Sequence, residues 1–185
     1  MAYRKTPKIK AHLKAQRETI VAAATAVVAK HGRDKFLVRT VERSGVSMGT
    51  VYQYFADVDE LWNAVVAAAL ARDVAAIRDS DKYPPPSTPI NALARGLAVF
   101  YSTFDKPRLA RALAEVPAYR KGIRSVLEPL IGAALDLPPR AREQYAATIL
   151  GALYGLSDIG ATSKAACEFA LRALGVPSAA ARAIV

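Results

Sequence analysis

At 185 residues, with 52% apolar and 23% charged residues, the chain has material for a real core, which argues against disorder. A single cysteine, Cys167, excludes an internal disulfide and fits a reducing cytoplasm, and His12 and His31 are too few and too ill-placed for a metal site. The formal charge of +10 is uneven: residues 1–55 hold 11 Lys or Arg against 3 acids (+8), and residues 56–185 hold 15 against 13 (+2). That excess suits a polyanionic partner, or else a solvated basic face. There is no clustered nucleophile and base, no Gly-rich phosphate loop and no suitable pair of carboxylates, so neither an enzyme nor a cofactor is expected. No run reaches the ~18 apolar residues of a membrane span, so no membrane partner is expected.

Residues 1–9, interrupted by Pro7, read as a mobile basic arm. A first helix is predicted from about Lys10 to His31, with an apolar stripe at Leu13, Ile20, Ala24, Val27 and Val28, ended by Gly32. The basic stretch before Ile20 has the layout of a secretory leader. The apolar residues continue at helical spacing from Leu13, however, and a cytoplasmic protein is expected. Asp34 is the expected cap of a second helix that runs to Ser44 and buries Leu37 and Val41. Gly45 then makes a turn, and Ser47 caps a short third helix. Asp57 and Glu60 form a variant capping box before a fourth helix that reaches about Ser80, with apolar positions at 58, 61, 62, 65, 68 and 69. Residues 83–89, with three consecutive prolines, break the chain.

Four or five further helices are expected. Thr88 caps one reaching about Phe104, with Pro89 first. Asp105 caps a short one to Val116. The next spans about Ala118 to Leu135 and contains Pro129. Pro138 and Pro139 open another reaching Gly160, and the last runs from Ser163 to Leu174 before Gly175. No period-two pattern appears, and the fold class is all-α.

The string Gly45-Val46-Ser47-Met48-Gly49-Thr50-Val51-Tyr52-Gln53-Tyr54-Phe55 has the layout of a helix-turn-helix: a glycine turn, then a helix with exposed polar residues at its start. It closely resembles the recognition-helix motif of the TetR family of bacterial transcriptional regulators, over roughly residues 10 to 70. The resemblance implies an arm (1–9), a helix-turn-helix DNA-binding domain (10–57), a connecting helix (58–82) and a ligand-binding and dimerisation domain (83–185). The chain departs from the family at Phe36, Thr40 and Val41, and at Val58, where a phosphate-contacting lysine is usual.

Ser47, Met48, Gly49, Thr50 and Gln53 are expected to enter the major groove. Gln53 has the amide geometry to pair with adenine, and the Thr50 methyl can meet a thymine methyl. By resemblance, Tyr52 and Tyr54 would donate to phosphates, the alternative being core aromatics; Phe55 is read as core. Arg39 and Arg43 share a helix face and either meet phosphates or are simply solvated. Arg4, Lys5, Lys8 and Lys10 of the arm are candidates for the minor groove or backbone.

Further along, Ala147, Gly151 and Gly155 form a small-residue stripe flanked by Leu150, Leu153 and Tyr154. Either a helix of a second copy or one of the same subunit packs there. The family pairs its last two long helices across a two-fold axis, which implies a homodimer. Candidate ligand-binding residues are Phe100, Tyr101, Phe104, Tyr119 and Tyr154 with Arg95, Arg120 and Arg124, unless the rings are plain core; the arginines suit an anionic or acyl ligand. The implied function is a ligand-released homodimeric repressor, with double-stranded DNA bearing a palindromic operator and a small-molecule effector as partners. The alternative is a helical dimer whose degenerate head serves as an interaction module.

Overall fold

The computed structural model describes residues 7–80, 82 and 86–184, and these hold α-helices and one short 3-10 turn, with no strand among them. The chain divides into two compact units, residues 1–68 and 69–185, with the boundary inside one helix.

In the first unit, α1 (Pro7–His31) buries Ile20, Val21, Ala23, Ala24, Val27 and Val28. Helix already begins at Pro7, so Lys8 and Lys10 belong to α1 and not to an arm; Arg4 and Lys5 lie outside the described residues. Proline suits a first helical position because its missing N–H would have no helical partner there. Gly32 stops α1 at a positive φ of 69°.

α2 (Phe36–Ser44) corrects two expectations. Asp34 does not cap it: Lys35 holds that position with φ 47° and no side-chain bond, and Asp34 pairs with Arg39 at 3.4 Å. The buried face holds Phe36 and Thr40, while Leu37 and Val41 are only half-buried. Phe36 wins because its ring meets Trp62 edge-on at 6.1 Å. Thr40 tolerates full burial because its hydroxyl donates to the Phe36 carbonyl at 2.7 Å.

α3 (Met48–Tyr54) and α4 (Val58–Asp79) follow. Asp57 accepts from the Glu60 amide at 2.7 Å, and Glu60 reaches back to the Ala56 amide at 2.6 Å, one residue beyond the usual box. Leu61, Trp62, Val65 and Val66 are buried, and Ala68 is exposed.

The second unit takes the end of α4 and then α5 (Pro89–Ser102), the 3-10 turn Thr103–Asp105, α6 (Pro107–Ala114), α7 (Pro117–Leu135), α8 (Pro139–Asp158), α9 (Ser163–Ala173) and α10 (Ser178–Ile184). Thr88 caps α5 by accepting from the Asn91 amide at 3.2 Å. Asp105 does not cap α6; Lys106 stands there without a side-chain bond. A short alanine-rich helix, α10, follows the last expected one and buries only Ala181.

Glycines let these helices approach closely. A Cβ on Gly122 of α7 would lie 2.6 Å from both terminal methyls of Leu70 on α4. One on Gly132 would lie 2.4 Å from Arg142 Nε, which instead donates to the Leu137 carbonyl at 2.6 Å. The loop between α7 and α8 is thereby tied to a side chain of α8.

Candidate functional site

α3 has only seven residues, too few to persist alone, so its neighbours must shape it. Ser47 caps it, its Oγ accepting from the Thr50 amide at 3.1 Å and lying 2.9 Å from the Thr50 hydroxyl. Val51 is buried and anchors the inner face. Met48, Gly49, Tyr52 and Gln53 are exposed, Tyr52 by 48%, and Thr50 is half-buried. Phe55 is core, with the Arg17 guanidinium 4.6 Å above its ring; Arg17 also approaches Glu60 at 3.9 Å.

The tyrosines diverge. Tyr52 projects from the unit, whereas Tyr54 is half-buried and its hydroxyl donates to Gln16 of α1. The Tyr54 hydroxyl proton is therefore already engaged and is not free for the expected phosphate. Arg43 is exposed, and Arg39 is already committed to Asp34. Val58, where a lysine would be usual, is half-buried at the start of α4.

The second unit brings part of the ligand set together and disperses the rest. Phe104 stands 5.1 Å from both Phe100 and Tyr101 and 5.4 Å from Tyr154, and Phe100 lies 6.1 Å from Tyr154, all edge-on. The Tyr101 hydroxyl donates to the Ala161 carbonyl at 2.9 Å. Tyr119 is fully buried and donates to Asp73 Oδ2 at 2.6 Å, while Arg72 Nε donates to Asp73 Oδ1 at 2.8 Å. Burial, then the bond to Asp73, holds the Tyr119 phenol far above its ordinary range. Burial likewise raises Tyr154, an effect that the Arg120 charge opposes.

Arg120 and Arg124 instead line a groove of about 230 Å³ with Glu115, Pro117, Lys121, Ala147 and Leu150. Arg95 is half-buried on α5, away from that groove's lining. A crevice of about 40 Å³, lined by Phe104, Tyr154, Ala110 and Asp158 among others, is room for little more than a water.

The small-residue stripe is open: Ala147, Gly151 and Gly155 are exposed, and a Cβ on either glycine would meet nothing within 4 Å. Leu150 is only 2% exposed and Tyr154 packs against Phe100 and Phe104, so both face inward and drop out of the outer stripe. Tyr145, Ile159 and Phe169 add exposed apolar surface on α8, just after it and on α9.

No family model matches the sequence, and no curated protein matches it. Solved structures do match. A TetR-like transcriptional regulator from Rhodococcus sp. RHA1 superposes with a TM-score of 0.65 at 18% identity, over 88% of this chain and 97% of that one. This is the TetR-like fold. RolR, in its complex with resorcinol, superposes with a TM-score of 0.64 at 19% identity over 95% of both chains. AmtR of Mycobacterium smegmatis does so at 0.57 and 21% identity, over 90% of this chain and 92% of its own.

Within the TetR-like fold, sequence reasoning missed Gln16, Arg72 and Asp73. For Asp73 a signal existed. Ala69, Asp73 and Ile77 recur every four residues on one face of α4, and a lone acid on an apolar stripe calls for a buried partner. Gln16 carried no comparable mark. Among the described residues, no group of His, Cys, Asp or Glu could hold a metal, and no helix is long and apolar enough to cross a membrane.

Proposed function

We propose that the chain is a sequence-specific DNA-binding transcriptional regulator, with α3 as the helix that enters the major groove. The observation that carries this is the division of labour on α3. Val51 is buried and Ser47 caps the helix, while Met48, Gly49 and Gln53 are exposed beside the turn at Gly45. Because the Thr50 hydroxyl lies against Ser47 Oγ, its methyl is the part available for a thymine. Tyr52 and Arg43 are exposed and suited to phosphates, and the +8 excess of residues 1–55 supplies the long-range attraction.

The exposed stripe of Ala147, Gly151 and Gly155, with Phe169 and Ile159, supports a homodimer through this face, and a two-fold dimer would match a palindromic operator. That RolR is found in complex with resorcinol supports a small-molecule effector for this chain too, and we place its site in the second unit. The effector would release DNA by binding the form with mismatched recognition helices more tightly.

Selection of bound DNA from a randomised pool at physiological salt tests the reading, because nonspecific binding is weak there, roughly 10⁻⁴ to 10⁻⁶ M. An inverted repeat is expected. Weak, sequence-blind, salt-sensitive binding would favour the degenerate-head alternative. Gln53→Ala should relax preference at one base pair per half-site, by about 1–3 kcal/mol of discrimination. An unchanged preference would remove Gln53 from the reading set.

A further inference from the structure

The C-terminal end of α3 is held by successive side chains of α1. Gln16 accepts from the Tyr54 hydroxyl, and the Arg17 guanidinium lies over the Phe55 ring, 4.6 Å from its centre. Arg17 also approaches Glu60 at 3.9 Å, and Glu60 accepts from the Ala56 amide at 2.6 Å. Residues 54, 55 and 56 are thus each tied, directly or through Glu60, to Gln16 or Arg17. Gln16 stands one turn before Ile20, at the end of the buried face of α1, so its own position is set by the packing of that helix.

A helix of seven residues lacks the length to hold its own orientation. Ser47 fixes only its first turn, and Val51 only its inner face. A tyrosine is a rigid lever with its hydrogen bond at the far end, so anchoring the Tyr54 hydroxyl fixes the rotation of α3 about its own axis. Gln53, exposed and next to Tyr54 in the helix, turns with it. A bidentate pair between that amide and adenine is sensitive to such rotation, because hydrogen bonds weaken steeply as their angle closes.

We infer that Gln16, with Arg17 beside it, is a positioning residue of the recognition helix. Through the Tyr54 hydroxyl Gln16 aims Gln53 at its base pair and touches no DNA itself. The inference rests on reading α3 as the helix that enters the major groove.

The test is selection of bound DNA from a randomised double-stranded pool with the parent, Gln16→Met, Tyr54→Phe and the double variant. The duplex recovered with the parent then serves as the probe for affinity. Each single variant should bind it about two- to tenfold more weakly, and the double variant no more weakly than either single one. All three should relax preference at the base pair that Gln53→Ala relaxes. Phe36→Leu, which loosens the contact with Trp62, controls for stability: it should lower the urea midpoint and leave base preference alone. If the bond merely stabilises the unit, Gln16→Met will behave like that control, and the inference is overturned. Tighter binding by Gln16→Met would also overturn it, by showing that a phosphate takes the proton once Gln16 is gone. Additive losses would do the same, since the two side chains would then act apart. A parent that recovers no inverted repeat removes the DNA-reading function itself, an outcome decided before any variant is compared.

Discussion

Thr40 in the first unit and Asp73 in the second are both buried polar side chains, but they find their partners by opposite routes. Thr40 donates to Phe36, one turn back in its own helix; Asp73 accepts from Tyr119, 46 residues further along the chain. The first bond forms as soon as its helix does. The second exists only when α4 and α7 have packed, so it reports on tertiary structure. Full burial is thus answered within one helix at Thr40 and across two helices at Asp73.

The comparison can be broken most directly at Asp73. Asp73→Ala should cost about 3 kcal/mol, the low end for breaking a buried pair because Arg72 reaches solvent. Urea unfolding followed by circular dichroism checks this, with Trp62 fluorescence reporting the first unit separately. A loss below about 1 kcal/mol would mean the cluster does not hold the second unit together.

Alkali should act on the second unit next. Burial pushes the Cys167 thiol up to about 11 from an ordinary 9, and Tyr119 and Tyr154 are raised in the same direction. Between those pH values the unfolded thiol has released its proton and the folded one has not, so stability falls as pH rises. The expected loss is on the order of 1–2 kcal/mol between pH 8 and pH 10.5, partly abolished by Cys167→Ala. Equal urea midpoints at the two pH values would contradict it.

Ser47→Ala removes the cap of α3 and should cost about 1 kcal/mol, read by Trp62 fluorescence. An unchanged midpoint would mean the turn alone holds the helix start. Thr40→Val should have the smallest effect, under about 1 kcal/mol, because the Phe36 carbonyl keeps its place in the helix. A larger loss would show that the hydroxyl serves more than its own turn, which would erase the contrast with Asp73.

The same contrast explains what could be read from sequence. Caps at Ser47, Thr88 and Asp57 with Glu60 were legible because both partners lie within four residues. So was the all-α class, since caps, prolines and glycines punctuate the chain. The Tyr54–Gln16 and Tyr119–Asp73 bonds were not, because no local pattern marks partners 38 and 46 residues apart. The buried face of α2 was misjudged by one residue for a related reason. Apolarity favoured Leu37 and Val41, but Trp62 draws in Phe36, and Thr40 is affordable only once its own hydrogen bond is counted. Spacing puts Leu150 beside the small-residue stripe without saying which way it faces, and packing within the subunit buries it.

The brevity of α3 has an evolutionary consequence. Its shape depends on Ser47, Val51, Tyr54 and the flanking Phe55, which answer to the rest of the unit, while Met48, Gly49 and Gln53 are exposed. Mutations at those three positions can accumulate at little cost to folding. If α3 reads DNA as proposed, two copies of such a protein could part ways in target preference after gene duplication through a few substitutions, each intermediate still a well-folded molecule.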